Sequence, residues 1–156
     1  MTLTATETTM HGMASSGLSA PIVREWTRRF DMHGDARLLA RIHTRTQVTL
    51  LRWGGNVDAA TEVARHLVCN AYTHAHAGPC PMAIGFRLAV TETDELLVEV
   101  SDPLAEFPNF DDAVQGSQDG SGFWEIRQHG GQLSWFLLES GGKTVRALMA
   151  PGQVPA

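Results

Sequence analysis

Ala83-Ile-Gly-Phe-Arg-Leu-Ala-Val90, then Thr91-Glu-Thr-Asp-Glu95, then Leu96-Leu-Val-Glu-Val100 sets two apolar runs of strand length around a polar turn. Short runs rich in Val, Leu and Phe and bounded by turn residues read as strands, and two of them so closely linked read as a hairpin. Ser101-Asp102-Pro103 ends the pair, because proline has no N–H to give to a sheet. Downstream, Leu104 to Gln118 shows no period, holds Pro108 and the paired Asp111-Asp112, and reads as a long surface loop. Loops of that length in compact domains are often functional. Gly120-Ser-Gly122 then leads into a short helix, Phe123 to His129. Gln132 to Glu139 and Lys143 to Met149 form a second hairpin around Ser140-Gly-Gly142.

Upstream lies a helical pair. Asp35 to Trp53 has no Gly or Pro, and Leu38, Ile42, Thr49 and Trp53 recur at helical spacing. Gly54-Gly55 is expected to stop this helix, and Asn56 to cap the next. That helix runs to about Ala77, with Val63, Leu67, Ala71 and Ala75 on one face and Ala60, Ala64 and Val68 beside it. Gly78-Pro79 closes it. Before both helices, Arg24 to Phe30 reads as a polar edge strand. The order β-α-α-β-β-loop-α-β-β gathers strands around hairpins instead of alternating them with helices. It predicts an α+β fold: a two-layer α/β sandwich whose mixed, mainly antiparallel sheet carries its helices on one face. The expected core contains Leu38, Ile42, Val63, Leu67, Ala71, Val98, Val100, Leu137 and Val145.

The 156 residues match one domain, taken as residues 21–150, with a leader at 1–20 and a tail at 151–156. Hydrophobic residues are 43% and charged residues 19%, a globular balance, and the net charge of −5 supplies no excess of cations for nucleic acid or an anionic membrane. The first twenty residues hold one charged side chain, Glu7, and lack the basic start and apolar run of a secretory signal. No stretch is apolar enough to span a bilayer, so the expected location is the cytoplasm. Two cysteines make no disulfide framework.

Four short features carry the chemistry. Glu62, His66, Asn70 and His74 are spaced four apart, a polar ladder on a helix whose other side is apolar. A solvated face normally carries Lys, Glu and Arg, so Asn with two His points to a site, although a half-exposed helix with incidental histidines is the plain alternative. Asp102 ends an apolar strand, where it is placed to accept from a ligand or simply to begin a turn. Gly120-Ser-Gly122 permits close backbone approach at a helix start. Gly141-Gly-Lys-Thr144 opens the last strand and is not a Walker loop, since neither the upstream glycine spacing nor a following helix is present. His66, Cys69, His74, His76 and Cys80 lie within fifteen residues, and zinc takes such ligands. No Cys-x-x-Cys or His-Glu-x-x-His motif supports that reading, and Cys69 is expected to be a small buried residue.

Taken in order, these features resemble the GHKL ATPase superfamily, most of all the bacterial anti-sigma-factor serine/threonine kinases and their stand-alone relatives. The resemblance covers about Trp26 to Leu148. His66-Leu-Val-Cys-Asn-Ala-Tyr-Thr-His-Ala75 is similar to the family's N box, Val98 to Asp102 to its adenine strand, Gly120-Ser-Gly-Phe123 to its phosphate segment, and Gly142-Lys-Thr144 to its late Gly-Lys/Thr-Thr. The resemblance implies ATP and Mg²⁺ as ligands, with Asn70 on the metal and Asp102 on the adenine amino group. It places Gly120 and Gly122 at the phosphates, Thr144 on the adenine through a water, and a mobile lid between Asp102 and Gly120. It implies a protein partner, a sigma factor or an anti-sigma antagonist, and admits a homodimer. Two departures stand out. The family's general-base Glu is His66, and its Asp-x-Gly reads Asp102-Pro103-Leu104. His66, in the catalytic position, is a weaker base beside a metal than a carboxylate. Glu62, one turn back, is the only carboxylate on that helix face. The expected outcome is an ATP-binding regulator with protein-kinase activity weak or lost. The alternative is a degenerate interaction module that binds no nucleotide.

Overall fold

The computed structural model describes residues 20–31, 35–75, 83–104 and 123–151, with the side chains of residues 74 and 75 left aside. The elements are β1 (Ile22–Asp31), α1 (Ala36–Leu50), α2 (Val57–Ala75), β2 (Ala83–Thr91), β3 (Leu96–Asp102), α3 (Phe123–Gln128), β4 (Gln132–Leu137) and β5 (Lys143–Met149). The expected element order and the α+β class hold. Residues 1–19 of the expected leader, the loop from residue 105, Gly120 and Gly122 lie outside the described residues, as does the tail beyond Pro151.

The five strands form one sheet in the order β1-β2-β3-β5-β4. All four pairings are antiparallel, so no parallel pair of a mixed sheet is found among the described strands. Two hairpins read from the sequence, β2-β3 and β4-β5, are present, and β1 takes the edge. β3 pairs with β5 with Val100 opposite Val145 and Asp102 opposite Lys143, which brings the ends of two distant segments together. Side chains alternate across a strand. Ile84, Phe86, Leu88 and Val90 of β2, Leu96, Val98 and Val100 of β3, and Val145, Ala147 and Met149 of β5 join one core with the helices.

α2 is the central helix and packs on α1, β3, β5 and α3. Asn56 caps it as expected, its Oδ1 accepting from the Ala59 N–H at 3.0 Å. Ala60, Val63, Ala64, Leu67, Val68 and Ala71 are all buried, matching the expected apolar faces. Burying Leu67 alone contributes about 1.5–3 kcal/mol relative to leaving it exposed.

α1 corrects the expectation. Its buried residues are Ala36, Ala40, Thr44 and Val48, whereas Leu38 is 54% and Ile42 51% exposed. The inward stripe is built of small side chains, which let the helix approach its neighbours closely, and the larger aliphatics face outward. Leu137 is only half-buried, against the expected core position. The helix also ends earlier than Gly54-Gly55. Leu51 is its C-cap, and Arg52 takes the left-handed turn at φ 62°. Gly55 instead accommodates the Trp53 ring, which a Cβ at 55 would strike. Trp53 Nε1 donates to the Asp94 carbonyl at 2.9 Å, tying this linker to the β2-β3 turn.

Candidate functional site

The sequence places His66 and Asn70 one turn apart on α2, and both are half-buried. Arg65 Nε donates to Glu62 Oε1 at 3.0 Å, and Arg65 Nη2 lies 3.2 Å from His66 Nε2. Arginine has no acceptor, so in this contact Nε2 is the lone-pair nitrogen and His66 is neutral. Burial, and then the Arg65 guanidinium, push the His66 pKa below its ordinary 6.5; Glu125 and Glu62 act against the shift and His129 with it. α3 and the turn after it therefore bring two titratable groups, Glu125 and His129, into the electrostatic surroundings of His66 from a distant segment of the chain. Glu62 stays the only carboxylate on that face of α2 within reach of His66, and Glu125 adds one from another element. The signal for Glu125 was its position on the short helix after Gly120-Ser-Gly122, but only the packing of α2 on α3 relates it to His66.

A neutral His66 does not repel a divalent cation, which removes one objection to a metal at Asn70. The Asn70 side-chain oxygen is a hard donor that suits Mg²⁺. Among the described residues, no group of three or more His, Cys, Asp or Glu comes together to hold a metal. The zinc reading rests partly on His76 and Cys80, outside the described residues, and on His74, whose side chain is not described. Cys69 is half-buried, not buried, and has Arg37 Nη1 of α1 at 4.0 Å.

Asp102 shares its strand alternation with Val98 and Val100 and so faces the helix layer. It is 7% exposed. Its Oδ1 accepts from the Leu104 N–H at 2.8 Å, a local turn, and from Lys143 Nζ at 3.1 Å. Lys143 shares the alternation of Val145 and Ala147. Thr144, the next residue, therefore points to the other sheet face, where its Oγ1 lies 2.7 Å from Ser101 Oγ. The structure thus brings Lys143, not Thr144, to Asp102. Gly142 is required at this junction, since a Cβ there would strike the Asp102 carbonyl. A cleft of about 270 Å³ borders the same strand ends, lined by Arg29, Gly85, Ser101, Asp102 and Ser140 among others. Gly85 and Ser101 belong to the sheet face away from the helices, so this cleft is not the space beside His66 and Asn70.

No family model matches the sequence, and no curated protein matches it. Among solved structures, the chain is similar to the crystal structure of the RsbU and RsbW domains of a Mycobacterium tuberculosis protein, at TM-score 0.55 and 12% identity over 86% of this chain. The match covers 35% of that longer chain, so this protein spans about a third of its length. At that identity the likeness is one of fold: a two-layer α+β sandwich with a five-stranded antiparallel sheet and helices against one face. No helix among the described residues is long and apolar enough to cross a membrane.

Proposed function

We propose that the chain is an ATP-binding regulatory domain of the anti-sigma-factor kinase type, which acts on a protein partner by binding it and transfers phosphate poorly or not at all. The observation that carries this reading is the placement of an acidic strand end, Asp102, on the helix-facing side of β3, in a fold whose central helix presents His66 and Asn70. Asp102 would read the adenine amino group, Asn70 would hold Mg²⁺, and Gly120 and Gly122 would leave room for the phosphates. Thr144, expected at the adenine through a water, has its hydroxyl on Ser101 on the other face of the sheet and is left out of this assignment. Bound Mg²⁺ would screen the phosphate charge. The partner would be a sigma factor or an anti-sigma antagonist, and a homodimer is compatible with this role.

Catalysis is the weak part of the constellation. The lone pair of His66 Nε2 is engaged by Arg65, and no carboxylate occupies its helix position. The test is a thermal-shift titration with Mg-ATP and Mg-ADP. Both should raise the melting temperature, and Asp102→Asn should weaken binding about ten- to a hundredfold, on the order of 1–3 kcal/mol for a mispaired polar group. Equal affinity in wild type and variant removes the adenine role. An absence of any shift favours the interaction module without nucleotide, a reading supported by the cation already seated on Asp102.

A further inference from the structure

The chain carries one lysine against eleven arginines. That lysine is not on the surface: Lys143 is 1% exposed, among the largest fully buried side chains of the described residues. Its ammonium lies 3.1 Å from Asp102 Oδ1 and 3.1 Å from the Leu104 carbonyl. Since the Leu104 N–H donates to the same Oδ1, both polar backbone groups of Leu104 are held by the Asp102–Lys143 pair. A buried charge pair persists only when desolvation is offset by close geometry and further hydrogen bonds, and this one has both. The compact ammonium on its slender stem fits where a planar guanidinium would need a wider slot.

We propose that Lys143 is a resident counter-ion at the carboxylate that would read the base, so that an adenine nucleotide gains Asp102 only as Lys143 withdraws. The inference rests on the reading of Asp102 given above. With Asp102 7% exposed and its Oδ1 bonded by both Lys143 and the Leu104 N–H, a purine amine competes with the lysine for that oxygen. An exocyclic amine is also a neutral donor, and it would replace a charge-assisted bond, which is the stronger kind. The exchange is unfavourable unless the displaced ammonium meets another anion. A ligand that brings both an amine-bearing base and phosphates meets that condition. Adenosine lacks the anion, and tripolyphosphate lacks the base. Lys143 thereby sets both the affinity of the site and its demand for a complete nucleotide.

A chain with a single lysine allows a direct test. Selective ¹³C-lysine labelling reports one side chain in the wild-type protein, and Mg-ADP should move its Cε signal whereas adenosine or Mg-tripolyphosphate should not. Lys143→Thr, a substitution that suits a strand and clears the space, should bind Mg-ADP about tenfold more tightly or better, the size of one charge-assisted bond. Adding Asp102→Asn should abolish that gain. If Mg-ADP raises the wild-type melting temperature while the lysine signal stays fixed, or if Lys143→Thr binds no more tightly, the counter-ion role is wrong and nucleotide binding stands. A gain that survives Asp102→Asn also overturns it. If neither wild type nor Lys143→Thr binds Mg-ADP or Mg-ATP, both the inference and the nucleotide reading fall. Should Lys143→Thr not fold, the labelled wild type decides alone.

Discussion

At His66, one ring feels the Arg65 guanidinium on one side and the carboxylates of Glu125 and Glu62 on the other. The Arg65 contact at 3.2 Å fixes the tautomer with its lone pair on Nε2, and burial with Arg65 lowers the pKa from 6.5. His43, stacked on Trp26 and Phe30 with ring centroids at 5.3 and 5.8 Å, is lowered as well, by burial and then by Arg28. The sign of the linkage follows. Above pH 6.5 folded and unfolded chains both carry neutral imidazoles and nothing is lost. As the pH falls through 6.5 the unfolded chain takes the protons first, so stability declines until the lower folded-state values are passed, and then stays at its reduced level. Urea melts between pH 5 and 8 should show that decline, and His66→Gln should make it shallower; a decline as steep in the variant would remove His66 as a source. On the nucleotide-binding reading proposed above, the same residue would also govern chemistry. His66→Glu would place a carboxylate beside Arg65, one turn from Asn70, and on that reading should raise ATP hydrolysis above the wild-type rate. Wild-type turnover equal to that of the variant would show the imidazole to be a competent base.

The two long helices show how far periodicity reaches. In α2 the apolar positions, small and large alike, gather on one side of the helix, so the stripe read from the sequence and the stripe buried in the fold coincide. In α1 the large aliphatics Leu38 and Ile42 also recur at helical spacing, but so do Ala36, Ala40, Thr44 and Val48, and the packing selects the second set. Two stripes satisfied the same period. The choice between them depends on how near the neighbouring helix lies, which is tertiary information. Small residues at the contact allow close approach, and a larger residue there has no space. Ala40 is fully buried, so Ala40→Leu should destabilise the protein by about 1–3 kcal/mol through overpacking. Ile42→Gln, on the exposed face, should stay within about 0.5 kcal/mol of wild type. Chemical denaturation of both variants tests the assignment, and the reverse order of effects would put the helix on its other face.

Across the molecule, the hairpins were readable because each strand pairs with its sequence neighbour, whereas the β3-β5 pairing joins segments forty residues apart. That pairing is what seats Lys143 on Asp102; the resemblance brought the two segments to one adenine site but through Thr144, because the strand register that turns Lys143 inward is not written in either motif. The same pairing also completes a polar ladder on the sheet face away from the helices. Glu25 of β1 bonds Arg87 of β2 at 2.7 Å, Arg87 bonds Glu99 of β3 at 3.1 Å, and Glu99 bonds Arg146 of β5 at 2.7 Å. Arg146 in turn lies over the Phe136 ring of β4 at 4.8 Å, so the chain of contacts crosses all five strands. Burial opposes the Arg87 charge, yet Glu99 and Glu25 outweigh it and hold its pKa above the ordinary value. The two carboxylates are not equivalent: the Glu99 side chain is 6% exposed between two guanidiniums, and that of Glu25 is 53% exposed at the edge. Removing the charge of Glu99 leaves two arginines facing an amide in a partly desolvated site, which should cost about 3 kcal/mol in Glu99→Gln. Glu25→Gln loses only an exposed pair and should cost less than about 1 kcal/mol, shrinking further as salt is added. Urea denaturation at low and high salt separates the two. Similar, salt-sensitive losses in both variants would mean that the ladder is a surface feature and that hydrogen bonds and apolar packing alone hold the sheet together.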